Sequence, residues 1–420
     1  MKEGTVKASV ITIGDELLIG QVIDTNSAWI AAELNKNGIL LRRRTAVGDV
    51  WNEIWQALDE EQKHSDIILI TGGLGPTADD ITKELLCEYF GTTLVMNEAV
   101  LLHIQNIFAR LNRPMLERNS NQALVPASCT VLHNERGTAP GMWFEKNGKV
   151  FVSVPGVPHE MKGLMNDIVL EKLLNHFIPQ TILHKTLVTI GIGESFLAEH
   201  IREFEADLPS FIKLAYLPNY GIVRLRLTAI GSDKHLVETV LNKEFDKLSE
   251  LVLQWRVATE DITMQELIAR KLRSSNQTLC TAESCTGGYI AHLFTREAGA
   301  SDFFKGSIVS YSNDLKANLL QVSKETLASH GAVSDQTVSQ MITGALNATG
   351  SDFAIATSGI MGPGGGSIEK PVGTVWIGVG NNTNIHVRKF HFRNERSRNI
   401  ELASSNALNM LRVFMLEQAL

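Results

Sequence analysis

Ile67-Ile68-Leu69-Ile70-Thr71 runs straight into Gly72-Gly73-Leu74-Gly75-Pro76, and this stretch decides the fold class. An unbroken aliphatic run of strand length, stopped by glycine and proline, fits a strand buried on both faces. A helix is expected to follow from about residue 79 to 90. Working outward, residues 6–13 read as another strand, which ends in Gly14-Asp15-Glu16. Residues 25–37 and 52–64 read as helices, and 39–47 as a strand between them. Residues 124–131 and 150–154 read as further strands. Such strand–loop–helix repetition implies a doubly wound α/β domain, its parallel sheet covered on both faces. Ligands of these sheets sit at the carboxyl ends of the strands, where both glycine breaks fall.

The texture changes near residue 181. Residues 185–190 read as a strand, Gly191-Ile192-Gly193-Glu194-Ser195 leads into a helix, and residues 222–230 alternate apolar with polar side chains. That alternation is the mark of a half-buried antiparallel strand. A helix over 236–253 completes a small α+β unit. From residue 261 an α/β pattern begins again: a helix around Leu267, Ile268 and Leu272, strands over 278–282, 307–311, 353–356, 372–379 and 385–392, helices over 286–294 and 338–346, and a long closing helix. The expected domains are therefore 1–175, 181–258 and 261–420.

Two or three domains also suit 420 residues, too many for one ordinary core. The chain is 44% hydrophobic and 20% charged, a globular composition. Its net charge of −7 argues against general nucleic-acid affinity. The basic clusters are short: Arg42-Arg43-Arg44, and Arg393, Arg396 and Arg398, the second set retaining a local anion-binding reading. The four cysteines, Cys87, Cys129, Cys280 and Cys285, form no CxxC pair, which excludes the usual zinc spacings and suits reduced thiols in a cytoplasm. Neither a signal peptide nor a membrane-spanning helix is expected.

Chemistry concentrates in three places. Ala282-Glu283-Ser284-Cys285-Thr286-Gly287-Gly288 sits where a buried strand turns toward a helix. A serine there, near unsatisfied amides and followed by glycines, suits acyl chemistry. Ser284 or Thr286 reads equally well as an ordinary N-cap. Cys285 is a rival nucleophile. Tyr311 and Lys316 are the candidate bases, because burial lowers a lysine's pKa and no histidine of the region stands out. Third, Ser358-Gly359-Ile360-Met361-Gly362-Pro363-Gly364-Gly365-Gly366, followed by Lys370-Pro371-Val372-Gly373-Thr374, offers amides to a phosphate or carboxamide without being a Walker A loop. In the first domain, Thr71 to Asp80 joins a phosphate-cradling loop to adjacent carboxylates. One of these could hold a divalent cation on a bound phosphate, with Asp15 or Glu16 supplying a second acid. Stabilisation by the helix dipole explains the carboxylates equally well.

Residues 71–82, 155–161, 191–195, 282–288, 311–316 and 362–375, in that order, resemble the bacterial competence/damage-inducible protein A (CinA) family over essentially the whole chain. The resemblance implies an N-terminal molybdopterin-binding-like domain with metal-dependent ADP-ribose pyrophosphatase activity, a KH-like middle unit and a C-terminal nicotinamide mononucleotide deamidase. The middle unit lacks a Gly-x-x-Gly clamp with basic neighbours, so RNA binding is not implied.

Carried over, Ser284 attacks the amide carbon while Tyr311 and Lys316 handle protons. Glu283, Cys285, Thr286, Gly287 and Gly288 would bind substrate from one side. Ser358, Gly359, Gly362, Pro363, Gly364 and Thr374 would bind it from the other. In the first domain the resemblance implies Asn26, Gly72, Gly73, Gly75, Pro76 and Thr77 on the nucleotide, and Asp79, Asp80 and Asp15 on a divalent metal ion of unspecified identity. No cofactor is expected in the deamidase domain, and a homodimer is expected overall. Ser358 stands where the family has threonine, which keeps the hydroxyl. Met361 stands where a small residue is usual, which narrows the pocket.

Overall fold

The structure is a computed structural model that describes residues 5–77, 79–219 and 221–418. Ala78, within the first glycine-rich motif, lies outside the described residues. Close packing divides the chain into two compact units. One comprises residues 1–185, 203–215 and 227–248, the other residues 186–202, 216–226 and 249–420.

In the first unit, Lys7–Ile13 is the hub of a six-stranded sheet. It pairs in parallel with Leu40–Val47 and with Ile67–Thr71, which pairs in parallel with Lys149–Val154. Every residue of Ile67–Thr71 is buried, as its composition requires. The sheet is mixed rather than wholly parallel. Gly141–Lys146 and Thr130–Leu132 join antiparallel at one edge. Residues 133–140 and the turn at 147–148 link these strands without a crossover helix, so the parallel rule does not reach them. The strand expected over 124–131 is two strands. A turn closed by Cys129 N–H on the Pro126 carbonyl (3.0 Å) separates Leu124–Pro126 from Thr130–Leu132. Leu124–Pro126 pairs instead with Leu94–Met96. Both faces carry apolar layers, one around Ile30, Leu34 and Met161, the other around Ile54, Leu58 and Phe151. Each such side chain contributes about 1.5–3 kcal/mol by leaving water.

The middle segment forms a four-stranded sheet in the order Ile212–Asn219, Ile222–Gly231, Thr181–Ile190, Arg256–Ala258. Along Ile222–Gly231 burial alternates, with Val223, Leu225, Leu227 and Ala229 inside. The sequence reading missed Ile212–Asn219.

In the second unit a five-stranded sheet runs Phe304–Val309, Leu279–Glu283, Phe353–Gly359, Thr374–Gly380, Ile385–His391. Leu279–Glu283 is parallel to both neighbours, and the last two strands are antiparallel. The closing helix Arg396–Glu417 packs Ala403, Ala407 and Leu411 into one apolar layer. The helix Asp335–Thr349 packs Val338, Met341 and Leu346 into the other. Among the described residues, no helix is long and apolar enough to cross a membrane.

Candidate active site

Leu279–Glu283 is buried along its whole length and delivers Ser284 to the carboxyl edge of its sheet. Ser284 N–H donates to the Thr357 carbonyl (3.0 Å), so the ladder extends one bond past the strand. The chain then turns, with Gly287 N–H on the Ser284 carbonyl (3.2 Å). Gly287 and Gly288 both take positive φ (63° and 92°), which glycine adopts without steric cost. The helix begins only at Tyr289, not at 286 as its pattern suggests.

Glu283 explains the delay, and corrects its expected role in substrate binding. It is 0% exposed. Its carboxylate accepts from the amides of Gly288 (3.0 Å), Ile290 (3.1 Å) and Ala291 (2.8 Å) and from the hydroxyls of Thr281 and Thr286. Thr286, also expected on substrate, is 3% exposed and spends its hydroxyl on Glu283 and Thr357. The amides of this helix start are thus consumed internally, and cannot hold an oxyanion.

Lys316 approaches from the other side. Ser310 N–H donates to the Glu283 carbonyl (2.9 Å), keeping this segment in register beyond Val309. Ser312 then caps the helix Asn313–Leu320 by accepting from Leu315 N–H. Lys316 lies on the inner face of that helix, 1% exposed. Its Nζ lies 2.9 Å from Ser284 Oγ, 2.8 Å from the Ser310 carbonyl and 3.3 Å from the Tyr311 carbonyl. Burial lowers its pKa from the ordinary lysine value, the Cys285 thiol opposing weakly. A neutral amine has two N–H groups and one lone pair. The two carbonyls can only accept, so they take the N–H groups, and the lone pair is left for the Ser284 hydroxyl.

Cys285 is a poor rival: its thiol is buried and pushed up to about 12 by desolvation. Tyr311 does not end a strand as expected, since that strand stops at Val309. Tyr311 is 62% exposed, and its hydroxyl accepts from Arg396 Nη2 (3.1 Å). Ser284, Cys285, Tyr311 and Lys316 nonetheless share one cavity of about 200 Å³ with Ser358, Gly359, Met361 and Arg396. Arg396 also donates to the Gly362 carbonyl (2.8 Å). Ser358 gives its hydroxyl to the Ala332 carbonyl (2.7 Å) and is 1% exposed, which confines its part in the cavity to shape. Met361, 3% exposed, fills part of the wall. Gly362, Pro363, Gly364 and Thr374 do not line the cavity; Gly362 serves it by holding Arg396. Sequence reasoning left Arg396 and Asn313 out of the site. Arg396 belongs to the basic set read as a local anion-binding cluster, but nothing local ties it to this cavity, since its partner Tyr311 is 85 positions away.

The first unit carries a larger cavity, about 400 Å³, between the loop after Thr71, the Ile13–Gly14 strand end and Pro155–Val157. Gly72, Gly73, Gly75 and Pro76 line it as expected residues, with Asp79 and Asp80. At Gly72 (φ 113°) a Cβ would lie 2.2 Å from the Ile13 carbonyl, so only glycine fits. Asp80 is a brace: its carboxylate accepts from Gly75 N–H (2.7 Å), Thr77 N–H (2.9 Å) and the Thr77 hydroxyl. This fold-back holds the helix start at Thr82 rather than 79. Asp15 faces Asp49, each backbone amide donating to the other's carboxylate at 3.2 Å. Asn26 lines an adjoining cavity of about 120 Å³ and donates to the Gly156 carbonyl (2.7 Å).

The expected metal set does not fit as it stands. Among the described residues, no three His, Cys, Asp or Glu side chains converge on one point. Asp80 is committed to the loop, and Asp15 is not among the residues lining the larger cavity. The acids that do line it include Glu16, Asp49, Asp79 and Glu160. Burial, with Asp15, Glu16 and Asp79 nearby, raises the Asp49 pKa. Burial also raises Glu160 against the opposing hydrogen bond from Asn134. Asp49 was missed, although Val47-Gly48-Asp49 is itself a strand end followed by glycine.

Comparison with known proteins gives three matches along the chain. Residues 261–415 match the family described as the CinA C-terminal domain, residues 9–176 that described as a probable molybdopterin binding domain, and residues 184–255 that described as the damage-inducible protein CinA KH domain. A CinA-like protein of Cytophaga hutchinsonii is 45% identical over 97% of this chain and 97% of its own length. One of Flavobacterium psychrophilum is 44% identical over 97% and 98%. Among solved structures, the competence damage-inducible protein A (ComA) of Klebsiella pneumoniae is 37% identical over 35% of this chain and 92% of its own, with a TM-score of 0.35.

Proposed function

We propose, for a chain that belongs to the CinA family, that its second unit hydrolyses the carboxamide of nicotinamide mononucleotide to nicotinate mononucleotide and ammonia. The observation that carries this reading is the 2.9 Å contact between a buried lysine amine and Ser284 Oγ on the wall of a cavity of about 200 Å³.

The chemistry follows from that pair. As Ser284 Oγ bonds to the carboxamide carbon, its proton passes to the neutral Lys316 amine. The oxyanion is held by backbone donors on the cavity wall at Cys285 and the Gly359 strand end, since the helix amides are occupied by Glu283. A single such donor contributes about 10²–10³ in rate. The Lys316 ammonium returns its proton to the amide nitrogen, the C–N bond breaks and ammonia leaves. Water then attacks the acyl-serine and gives a proton to Lys316, which restores it to Ser284 as the acid departs. General-base help of this kind contributes about 10²–10⁴. Tyr311 and Arg396 stand at the mouth and would meet the ribose phosphate end.

A second reading concerns the first unit, where glycine amides and a 400 Å³ cavity favour a phosphate-bearing ligand such as ADP-ribose. The carboxylates on its wall would repel such a ligand unless a cation accompanies it. Mass spectrometry of products from nicotinamide mononucleotide and from ADP-ribose, with and without chelator, tests both readings. Nicotinamide mononucleotide recovered unchanged in the first reaction, with neither the acid nor ammonia formed, would remove the deamidase reading. Chelator-resistant ADP-ribose hydrolysis would remove the cation.

A further inference from the structure

We infer that Glu283 is a positioning residue, which presents Ser284 by pinning the turn that follows it. The inference rests on the reading of Ser284 as a nucleophile, and no further.

Residues 284–288 carry two positive-φ glycines and only one turn hydrogen bond of their own, from Gly287 to Ser284. Such a segment has little intrinsic preference for one shape. What fixes it is the side chain immediately before it. Glu283 Oε2 accepts from Thr286 Oγ1 (2.7 Å), Gly288 N–H (3.0 Å) and Ile290 N–H (3.1 Å), and Oε1 from Ala291 N–H (2.8 Å) and Thr281 Oγ1 (3.1 Å). One carboxylate therefore ties together the strand before the serine, the turn carrying it and the helix after it. Thr286 extends the tie to the neighbouring strand through Thr357 Oγ1 (2.8 Å). Ser284 sits in the only span between these anchors that reaches the cavity.

The same bonds decide where an oxyanion can be held. A bare helix start offers several amides that point outward. Here three of them are satisfied by Glu283, so the start of the helix neither attracts the developing negative charge nor draws the substrate carbonyl away from the wall opposite Lys316. A carboxylate suits this task because all five neighbours are donors. The amide of a glutamine would place its own N–H groups against some of them.

The test separates alignment of the nucleophile from recognition of any nucleotide. An alkyl fluorophosphonate reacts with an activated serine by bonding phosphorus to Oγ and releasing fluoride, with Lys316 taking the serine proton. Its rate of labelling, localised to Ser284 by peptide mass spectrometry, needs no nicotinamide recognition. In Glu283→Gln we expect labelling to slow at least tenfold, and ammonia release from nicotinamide mononucleotide to fall through kcat while KM moves less than about threefold. In Thr286→Val, which keeps the carboxylate but removes the bonds to Glu283 and Thr357, we expect an intermediate slowing; this variant decides the matter if Glu283→Gln does not fold. Unchanged labelling in a folded variant overturns the inference, as does a wild-type chain not labelled at Ser284. Slowed labelling in a protein whose wild type releases no ammonia upholds the positioning role and removes only the proposed substrate.

Discussion

The two glycine-marked strand ends look alike in sequence and differ in what they assemble. After Thr71, glycines open a cavity of about 400 Å³ whose acids spread around the wall or brace the loop itself. After Glu283, the cavity is half that volume, and a buried amine and a hydroxyl meet within it at 2.9 Å. A glycine loop at a strand end supplies access. A reactive pair needs a second element aimed at the same point, here the helix Asn313–Leu320, which its Ser312 cap sets in place.

The contrast can be broken or sharpened by substitution. Ser284→Ala should remove ammonia release from nicotinamide mononucleotide altogether, leaving the first unit's ligand binding intact; residual turnover near the wild-type rate would mean that the second site is no more assembled than the first. Lys316→Met should lower kcat/KM by about 10²–10⁴. In the wild type, burial lowers the Lys316 pKa, and the base is the neutral amine. Activity should therefore fall as pH drops through that lowered value and level off below the ordinary lysine range; a flat profile would exclude Lys316 as base. Arg396→Ala frees Tyr311 and the Gly362 carbonyl, and should raise KM about tenfold with a smaller change in kcat. In the first unit, Asp80→Ala should cost about 0.5–2 kcal/mol through lost bonds to Gly75 and Thr77. Chemical denaturation would read that loss, and ammonia release should not change. Cys285→Ala should leave kcat within about twofold, because a thiol pushed up to about 12 does not ionise near neutral pH.

Much of this was legible in the chain. Ile67–Thr71 and Leu279–Glu283 advertise buried strands by composition alone, and the glycines after them mark the two ligand edges. The alternation along Ile222–Gly231 is equally plain. Three kinds of fact were not legible. Strand direction at the edge of the first sheet depends on connections that carry no crossover helix, not on apolar pattern. The parts of Glu283 and Asp80 depend on which way a carboxylate turns: both look like ligand groups and both instead satisfy amides of their own loops. Arg396 reaches its site only because the closing helix starts beside Gly362, a proximity that no local pattern encodes.

The account depends most on an acyl-serine forming at Ser284. Turnover of nicotinamide mononucleotide in the presence of hydroxylamine tests it directly, because an acyl-enzyme is intercepted before water reaches it. The prediction is a hydroxamate of the mononucleotide appearing at the expense of the acid, with ammonia release undiminished, and neither product from Ser284→Ala. Acid as the sole product at every hydroxylamine concentration, or hydroxamate still formed by Ser284→Ala, would contradict it.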